Sequence, residues 1–176
     1  MADATIGSQL SVLIDRMLKQ CEVGAAGLSV EQLCDSADGK TNSIGFDLWH
    51  VARTVDNIIH FVFEREKPVW LVMNLPEEWN LPKNDQGTGM DISTAHALKF
   101  PEAAEMTRYS EAVRAAVVPK IEGMSDEYLT EIVKIVPFGE ISRMQAIMQV
   151  LVSHGNGHMG RVDHARNLLG VEGLGF

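Results

Sequence analysis

Two histidines near the C-terminal end of the chain have the spacing of metal ligands. His154 and His158 stand four residues apart in the segment SHGNGHMGR. In a helix this spacing places both side chains on one face, about one turn apart. Imidazole binds zinc, nickel, copper and iron well, but two imidazoles leave the ion incompletely coordinated. The pair also lacks the glutamate of the HExxH protease motif, so a third ligand must come from elsewhere.

His50 is the candidate for that third ligand. It lies within the apolar helical run WHVARTVDNIIHFVF, whose pattern indicates a face buried against the rest of the chain. Helical bundles build metal sites from ligands on facing helices in this way. The other three histidines, His60, His96 and His164, are interpreted as ordinary core or surface residues. His60 and His164 fall on different faces of their helices from the candidate ligands.

Charged residues near the histidines could support such a site. Asp47 and Asp56 are candidates to accept a hydrogen bond from a ligand imidazole, although a solvated carboxylate on a helix surface is the commoner case. Arg161 lies seven residues after His154, on roughly the same face. It is expected either to pair with an anionic group of a substrate or to form a salt bridge with an acidic neighbour.

Four long helical patterns must position these residues. In each pattern, apolar residues recur at helical spacing between capping residues and helix breakers. We expect the helices from Ala4 to about Gly24, over 44–66, over 101–123, and from Ile141 to Gly170. Asn42 or Ser43 would cap the second helix, and Pro101 would lie in the first turn of the third. These patterns predict an all-α fold, a four-helix bundle.

The remaining segments are less regular. The connection over 68–100 contains Pro76, Pro82 and the polar stretch KNDQGTG, so we expect it to be irregular and to cover or shape a site. Trp70 and Trp79 in this connection, with Trp49, either line a pocket or belong to the core, as buried aromatic residues usually do. A helical turn is predicted over 125–129. The segment EIVKIVPFGEI over 131–141 is either a small hairpin or a loop.

Two glycines inside the last predicted helix need a physical reason. Gly155 and Gly157 each cost about 1 kcal/mol of helix stability relative to alanine. Such residues are retained where another helix approaches closely or where the helix is locally distorted.

Composition limits the functions that the chain can have. With 176 residues, 45% of them hydrophobic, it is expected to form one domain over 1–176. A formal net charge of −9 with scattered Lys and Arg argues against a nucleic-acid partner. The apolar run IIHFVF is too short to span a membrane, and the N-terminal residues do not follow the pattern of a secretory signal. We therefore expect a cytoplasmic protein in which Cys21 and Cys34 are free thiols.

The segments SIGFDLWHVARTVDNII and SHGNGHMGRVDHARNLLG, in this order, resemble the DinB-like superfamily of metal-binding four-helix bundles. The resemblance extends over nearly the whole chain, including the connection PEEWNLPKNDQGTG. It implies that His50, His154 and His158 bind one divalent metal ion, with zinc or nickel as the expected ions. Arg161 stands where family members often have Gln. Relatives include transferases and isomerases that use a low-molecular-weight thiol such as mycothiol or bacillithiol.

These features leave three functional hypotheses. The first is a metal-dependent enzyme acting on a small molecule, by transfer to a low-molecular-weight thiol or by hydrolysis, because three imidazoles leave a coordination position open. The second is a non-catalytic bundle that the metal stabilises and that serves as an association module, in which Asp47 or His60 would be a fourth ligand. The third is a bundle without metal, in which the histidines point apart. A homodimer is expected, as the commonest symmetric state.

Overall fold

The fold consists of four long helices packed around one hydrophobic core, as seen in a computed structural model that describes residues 5–175. The first helix packs on the other three, and the helix that carries His50 also contacts the third and the last. The predicted all-α bundle is thus confirmed. The four long helices are α1 (Ile6–Ala25), α3 (Ile44–Asp56), α7 (Ala103–Glu122) and α10 (His154–Leu168).

Helix α1 buries one face against the bundle. Leu10, Ile14, Met17 and Cys21 recur at intervals of three or four residues and are all buried. The Thr5 side chain accepts a hydrogen bond from the Ser8 N–H and caps the helix. Ala4, the predicted first residue, lies outside the described residues. A short helix, α2 (Val30–Cys34), follows after a turn.

Helix α3 is buried on all sides and is the centre of the bundle. Ser43 caps it by accepting a hydrogen bond from the Phe46 N–H, as predicted. The predicted helix over 44–66 changes its hydrogen bonding after Asp56 and continues as a π-helical segment, Asn57–Phe63. Such segments are rare and often mark functional sites. Periodicity of apolar residues does not distinguish a π-helical turn from an α-helical one, so the sequence could not reveal this change.

The connection after this segment is less irregular than expected. It forms three short helices, α4 (Val69–Val72), α5 (Leu75–Trp79) and α6 (Ile92–Ala97), joined by loops. Trp70 and Trp79 pack against each other and against Tyr109, with ring centroids 5.4 to 5.9 Å apart. Trp49 contacts Trp70 from α3. The three tryptophans therefore belong to the core.

The C-terminal part begins with α7, which starts two residues later than predicted because Glu102 is its N-terminal cap. Pro119 does not end this helix, which continues to Glu122. The predicted helical turn is α8 (Asp126–Thr130). The next segment is the hairpin rather than the loop, with β1 (Ile132–Ile135) paired antiparallel to β2 (Gly139–Ser142).

The last helix has three parts. A single α-helical turn, α9 (Arg143–Gln145), is followed by a second π-helical segment, Ala146–Ser153, and then by α10. The predicted start at Ile141 is wrong, because that residue belongs to strand β2 and the helix is capped by Ser142. His154, the first residue of α10, therefore comes directly after a π-helical segment.

One of the two glycines in this last helix is explained by close packing. A Cβ atom on Gly155 would lie 2.2 Å from Sδ of Met17, so the buried Met17 side chain of helix α1 occupies the space that a side chain would need. A Cβ atom on Gly157 would meet nothing within 4 Å. Close helix approach, as predicted, thus accounts for Gly155 and not for Gly157.

Within residues 5–175, none of the helices combines the length and the apolar character that crossing a membrane requires.

Candidate metal centre

The three histidines singled out by the sequence lie together. Nε2 of His154 is 3.4 Å from Nε2 of His50 and 2.9 Å from Nε2 of His158. One ligand atom from each residue falls within 4.8 Å of the other two. In tetrahedral coordination, with about 2.0–2.1 Å between the ion and each nitrogen, neighbouring ligand nitrogens would lie roughly 3.3 Å apart. The observed distances lie on either side of this value, so the arrangement fits a single ion.

In His50 and His158, the second ring nitrogen, Nδ1, has a hydrogen-bond partner that orients the imidazole. Nδ1 of His50 lies 2.5 Å from the backbone oxygen of Gln86, and Nδ1 of His158 lies 2.8 Å from Oδ1 of Asp47. A carbonyl or an ionised carboxylate can only accept, so each Nδ1 donates its hydrogen. The lone pairs of both Nε2 atoms then face the centre of the group. Histidine ligands in metal sites are usually oriented in this way.

Asp47 is held as an ion by two partners. Its carboxylate accepts hydrogen bonds from Nε and Nη2 of Arg161 at 3.1 Å, besides the bond from His158. Burial opposes ionisation of Asp47, but the hydrogen bonds from His158 and Arg161 and the positive charge of Arg161 outweigh it and lower the pKa of the carboxyl group. Of the two roles considered for Arg161, the structure contains the salt bridge to an acidic neighbour.

The environment favours the neutral form of His50 and His154 near pH 7. Burial lowers the pKa of His50 to about 4, although its hydrogen bond to Gln86 acts in the opposite direction. Burial and the neighbouring His158 also lower the pKa of His154. A histidine must be neutral at the coordinating nitrogen to bind a metal. The two groups are therefore ready to act as ligands without first losing a proton.

The other residues considered from the sequence lie away from this group. Asp56 does not contact the three histidines; its Oδ1 instead lies 2.8 Å from Nδ1 of His60. The pair is buried, so His60 is a core residue rather than a ligand. His96 contacts the backbone oxygen of Thr41 at 2.8 Å. His164 is exposed.

A cavity of about 420 Å³ lies beside His154. We call it the His154 cavity; the first π-helical segment, the tip of the hairpin and part of the 68–100 connection form its walls. Its volume is in the range of small-molecule sites. His154 is itself exposed, whereas His50 and His158 are buried. The lining residues are Thr54, Asn57, Ile58, Val62, Gln86, Thr88, Lys134, Ile135, Val136, Pro137, Phe138, Val150 and His154.

Sequence reasoning missed most of this lining. Gln86 acts on His50 through its backbone carbonyl, which no residue type reveals. Asn57 and Phe138 reach the cavity through a π-helical segment and a hairpin turn that the pattern did not distinguish. The length of the connection was the one usable signal, because a long connection in a compact domain often covers a site.

A second cavity, of about 330 Å³, is bordered by Asp47, Gly157 and Arg161. Its lining contains none of the three clustered histidines, although it includes His164. It therefore touches the carboxylate that orients His158 and not the candidate ligand atoms.

A helical bundle with three converging histidines defines a class of candidate metal proteins. The family model of the DinB superfamily matches residues 14–162, a range that contains all three histidines. The chain belongs to the DinB superfamily.

The fold is also similar to a solved structure, the crystal structure of the conserved protein of locus from Enterococcus faecalis. The TM-score is 0.77 at 20% sequence identity, over 93% of this chain and 96% of that one. At this identity the likeness concerns the fold alone. The search of curated proteins found no match.

Proposed function

We propose that the protein is a metal-dependent enzyme that binds one divalent ion, zinc or nickel, through His50, His154 and His158 and acts on a small molecule in the His154 cavity. The observation that carries this proposal is the convergence of three Nε2 atoms at the edge of a cavity. An exposed ligand histidine next to two buried ones gives a small molecule access to the ion.

The number of candidate ligands supports catalysis over a purely structural ion. Structural zinc sites are closed by four protein ligands, whereas catalytic sites have three and keep a position open. In residues 5–175, the clustered group contains three histidines and no fourth member. An association module stabilised by metal would have Asp47 or His60 as a fourth ligand. Asp47 instead binds Nδ1 of His158, and His60 binds Asp56.

The hypothesis without metal has less support. It requires the three imidazoles to point apart, and their Nε2 atoms instead face one another.

An ion with an open position supplies Lewis acidity, which favours ionisation of a thiol or of water near neutral pH. By resemblance to thiol-dependent transferases of the superfamily, the proposed reaction is transfer of a small electrophile to a low-molecular-weight thiol. The thiol loses its proton to solvent, a sulfur–carbon bond forms, and the leaving group departs with its electron pair. The protein's own residues orient the reactants: Asn57 and Thr88 offer hydrogen bonds, and Ile58, Val62 and Phe138 form an apolar wall.

The test is a thiol-transfer assay on protein purified without an affinity tag and loaded with zinc or nickel. Bacillithiol or mycothiol would be mixed with 1-chloro-2,4-dinitrobenzene, and the thioether followed by absorbance. We expect turnover that disappears after chelation and in the His154→Ala, His158→Ala double variant. His164→Ala is the matched control, since it removes an exposed histidine of the same helix. Equal rates in the double variant would overturn the proposal, and hydrolysis without thiol use would indicate a hydrolase.

A homodimer, a cytoplasmic location and the lack of a nucleic-acid partner stay predictions of the sequence. Light scattering on the purified protein tests the first of them.

A further inference from the structure

Arg53 is a buried cation with unused hydrogen-bond donors. It lies on α3, three residues after His50, and is 2% exposed. Its Nε and Nη1 atoms have no hydrogen-bond partner within residues 5–175. Nη2 is 3.5 Å from the backbone oxygen of Asp85, at the limit of a hydrogen bond. An arginine side chain stays charged and has five donors, so this arrangement leaves most of its binding capacity unmet.

The neighbouring acid cannot meet this capacity because its oxygens are already occupied. Oδ1 of Asp56 accepts from the Val69 N–H and is paired with His60. Oδ2 accepts from the Trp70 N–H and the Tyr109 hydroxyl. A carboxylate offers about four acceptor positions, and these four partners use them.

Asp56 therefore balances the charge of Arg53 without binding its donors. The shortest distance between the two side chains is 4.0 Å, from Nη1 to Oδ2. The guanidinium instead lies over the ring of Trp70, with Cζ 5.2 Å from the ring centroid. Buried donors that lack a partner in a native protein call for a ligand or a water that supplies one.

Arg53 borders a cavity whose lining fits an anion. This Arg53 cavity has a volume of about 340 Å³ and is lined by Arg53, Asn57, Phe61, Pro68, Leu71, Lys83 and Asn84. Lys83 adds a second positive charge, two asparagines add amide donors, and no acidic residue is among the lining residues. Phe61, Pro68 and Leu71 give the cavity an apolar wall.

We propose that the Arg53 cavity binds the carboxylate of a small organic acid. Nη2 of Arg53, whose contact with the backbone oxygen of Asp85 is long, donates to the carboxylate, and Lys83 supplies a further charge at the rim. The apolar wall receives the hydrocarbon part of the molecule, which inorganic phosphate lacks. Asn57 borders both this cavity and the His154 cavity. The two cavities are therefore neighbours on either side of Asn57.

The test is a titration with benzoate, followed by backbone amide chemical shifts of the ¹⁵N-labelled full chain. Signals of Leu71, Lys83 and Asn84 should shift and saturate at millimolar benzoate, and benzyl alcohol, the neutral analogue, should leave them unchanged. Because binding needs neither metal nor turnover, the titration is run on metal-free and zinc-loaded protein with the same expected result. Its failure would leave the proposed enzymatic function standing.

Three variants identify the residues responsible. Lys83→Gln, at an exposed position, should weaken benzoate binding about five-fold. Arg53→Lys, which keeps the charge and loses the planar guanidinium that places Nη2 at the cavity, should weaken it at least about ten-fold. Lys99→Gln, an exposed lysine that does not line the cavity, is the matched control and should bind as the wild type does.

Several results would overturn the proposal. One is equal binding of benzoate and benzyl alcohol, and another is binding of phosphate without binding of benzoate. A third is no binding at 20 mM benzoate, which is roughly the weakest affinity expected for one ion pair with a small apolar contact. Unchanged affinity in Lys83→Gln would overturn it even if Arg53→Lys failed to fold.

Discussion

The carboxylate of Asp47 lies 2.8 Å from Nδ1 of His158, although the two residues are 111 positions apart in the sequence. This contact joins helix α3 to helix α10 and fixes the direction in which the imidazole presents its Nε2 atom. It also keeps a negative charge next to the candidate ligands, shared with Arg161.

Replacing Asp47 by Asn should weaken metal binding while the three histidines remain. The variant keeps the size of the side chain but loses the charge, and losing such a partner typically costs about 10- to 100-fold in metal affinity. Competition with a chromogenic chelator measures the change. Asp38→Asn, at the rim of the second cavity, is a matched control. Wild-type affinity in Asp47→Asn would show that this carboxylate does not tune the site.

Asp56 should matter for stability rather than for metal. It is fully buried and accepts from the Val69 and Trp70 N–H groups and the Tyr109 hydroxyl. Asp56→Ala leaves these donors and the Arg53 charge without a partner, so we expect a loss of about 3–5 kcal/mol in the free energy of unfolding by urea. Tyr109→Phe removes one donor and should cost about 1.5–3 kcal/mol. Loss of bound metal in Tyr109→Phe would contradict the conclusion that the hydrogen bonds of Asp56 are independent of the candidate metal centre.

The two glycines of helix α10 should respond in opposite directions to alanine. Gly155→Ala forces Met17 or the helix backbone to move, which should cost about 1–3 kcal/mol of unfolding free energy. Gly157→Ala meets open space and should stabilise by about 0.5–1 kcal/mol through helix propensity. Thermal and urea unfolding of the two variants provide the comparison. Equal effects would mean that helices α1 and α10 are not packed as described.

The metal-free protein should lose stability as the pH falls below about 6.5. The pKa of His50 is about 4 in the folded protein, against an ordinary value of 6.5. Between these values the unfolded chain binds a proton that the folded chain does not, so the free energy of unfolding decreases as pH is lowered. The total change is up to about 3 kcal/mol.

Urea unfolding of chelator-treated protein measures this change. The series starts at about pH 7.5, roughly one unit above the ordinary pKa of histidine, and ends at about pH 4. His50→Gln cannot titrate and should reduce the dependence to the part that His154 contributes, whereas His164→Gln, at an exposed position, should leave it unchanged. Parallel curves for wild type and His50→Gln would contradict the assignment.

The four long helices and the three histidines could be predicted from the sequence because both predictions depend on regular spacing of residues. A four-residue interval on one helix and a buried apolar run around His50 made these three residues the candidates, and the resemblance to the DinB-like superfamily strengthened the prediction that they meet. The sequence did not distinguish the hairpin from a loop, because strands of four residues are too short to show a clear alternation of apolar and polar residues. The π-helical segments next to the site were not predictable, since they retain the same apolar face as an α-helix.

The environment of the histidines was only partly readable. Asp47 and Asp56 looked equivalent in the sequence, as acidic residues within one turn or two of His50. Their roles separate because Asp47 faces α10, whereas Asp56 faces the backbone of the connection at Val69 and Trp70. Contacts between segments that are distant in the chain decide such roles, and spacing within one helix carries no information about them.

We expect His50, His154 and His158 to bind one metal ion. Elemental mass spectrometry on protein purified without an affinity tag, after addition of zinc or nickel and removal of the excess, tests this claim most directly. We predict close to one ion per chain in the wild type and in His164→Ala, and loss of the metal in the His154→Ala, His158→Ala double variant. Wild-type protein that retains no metal, or a double variant that retains it in full, would contradict the claim.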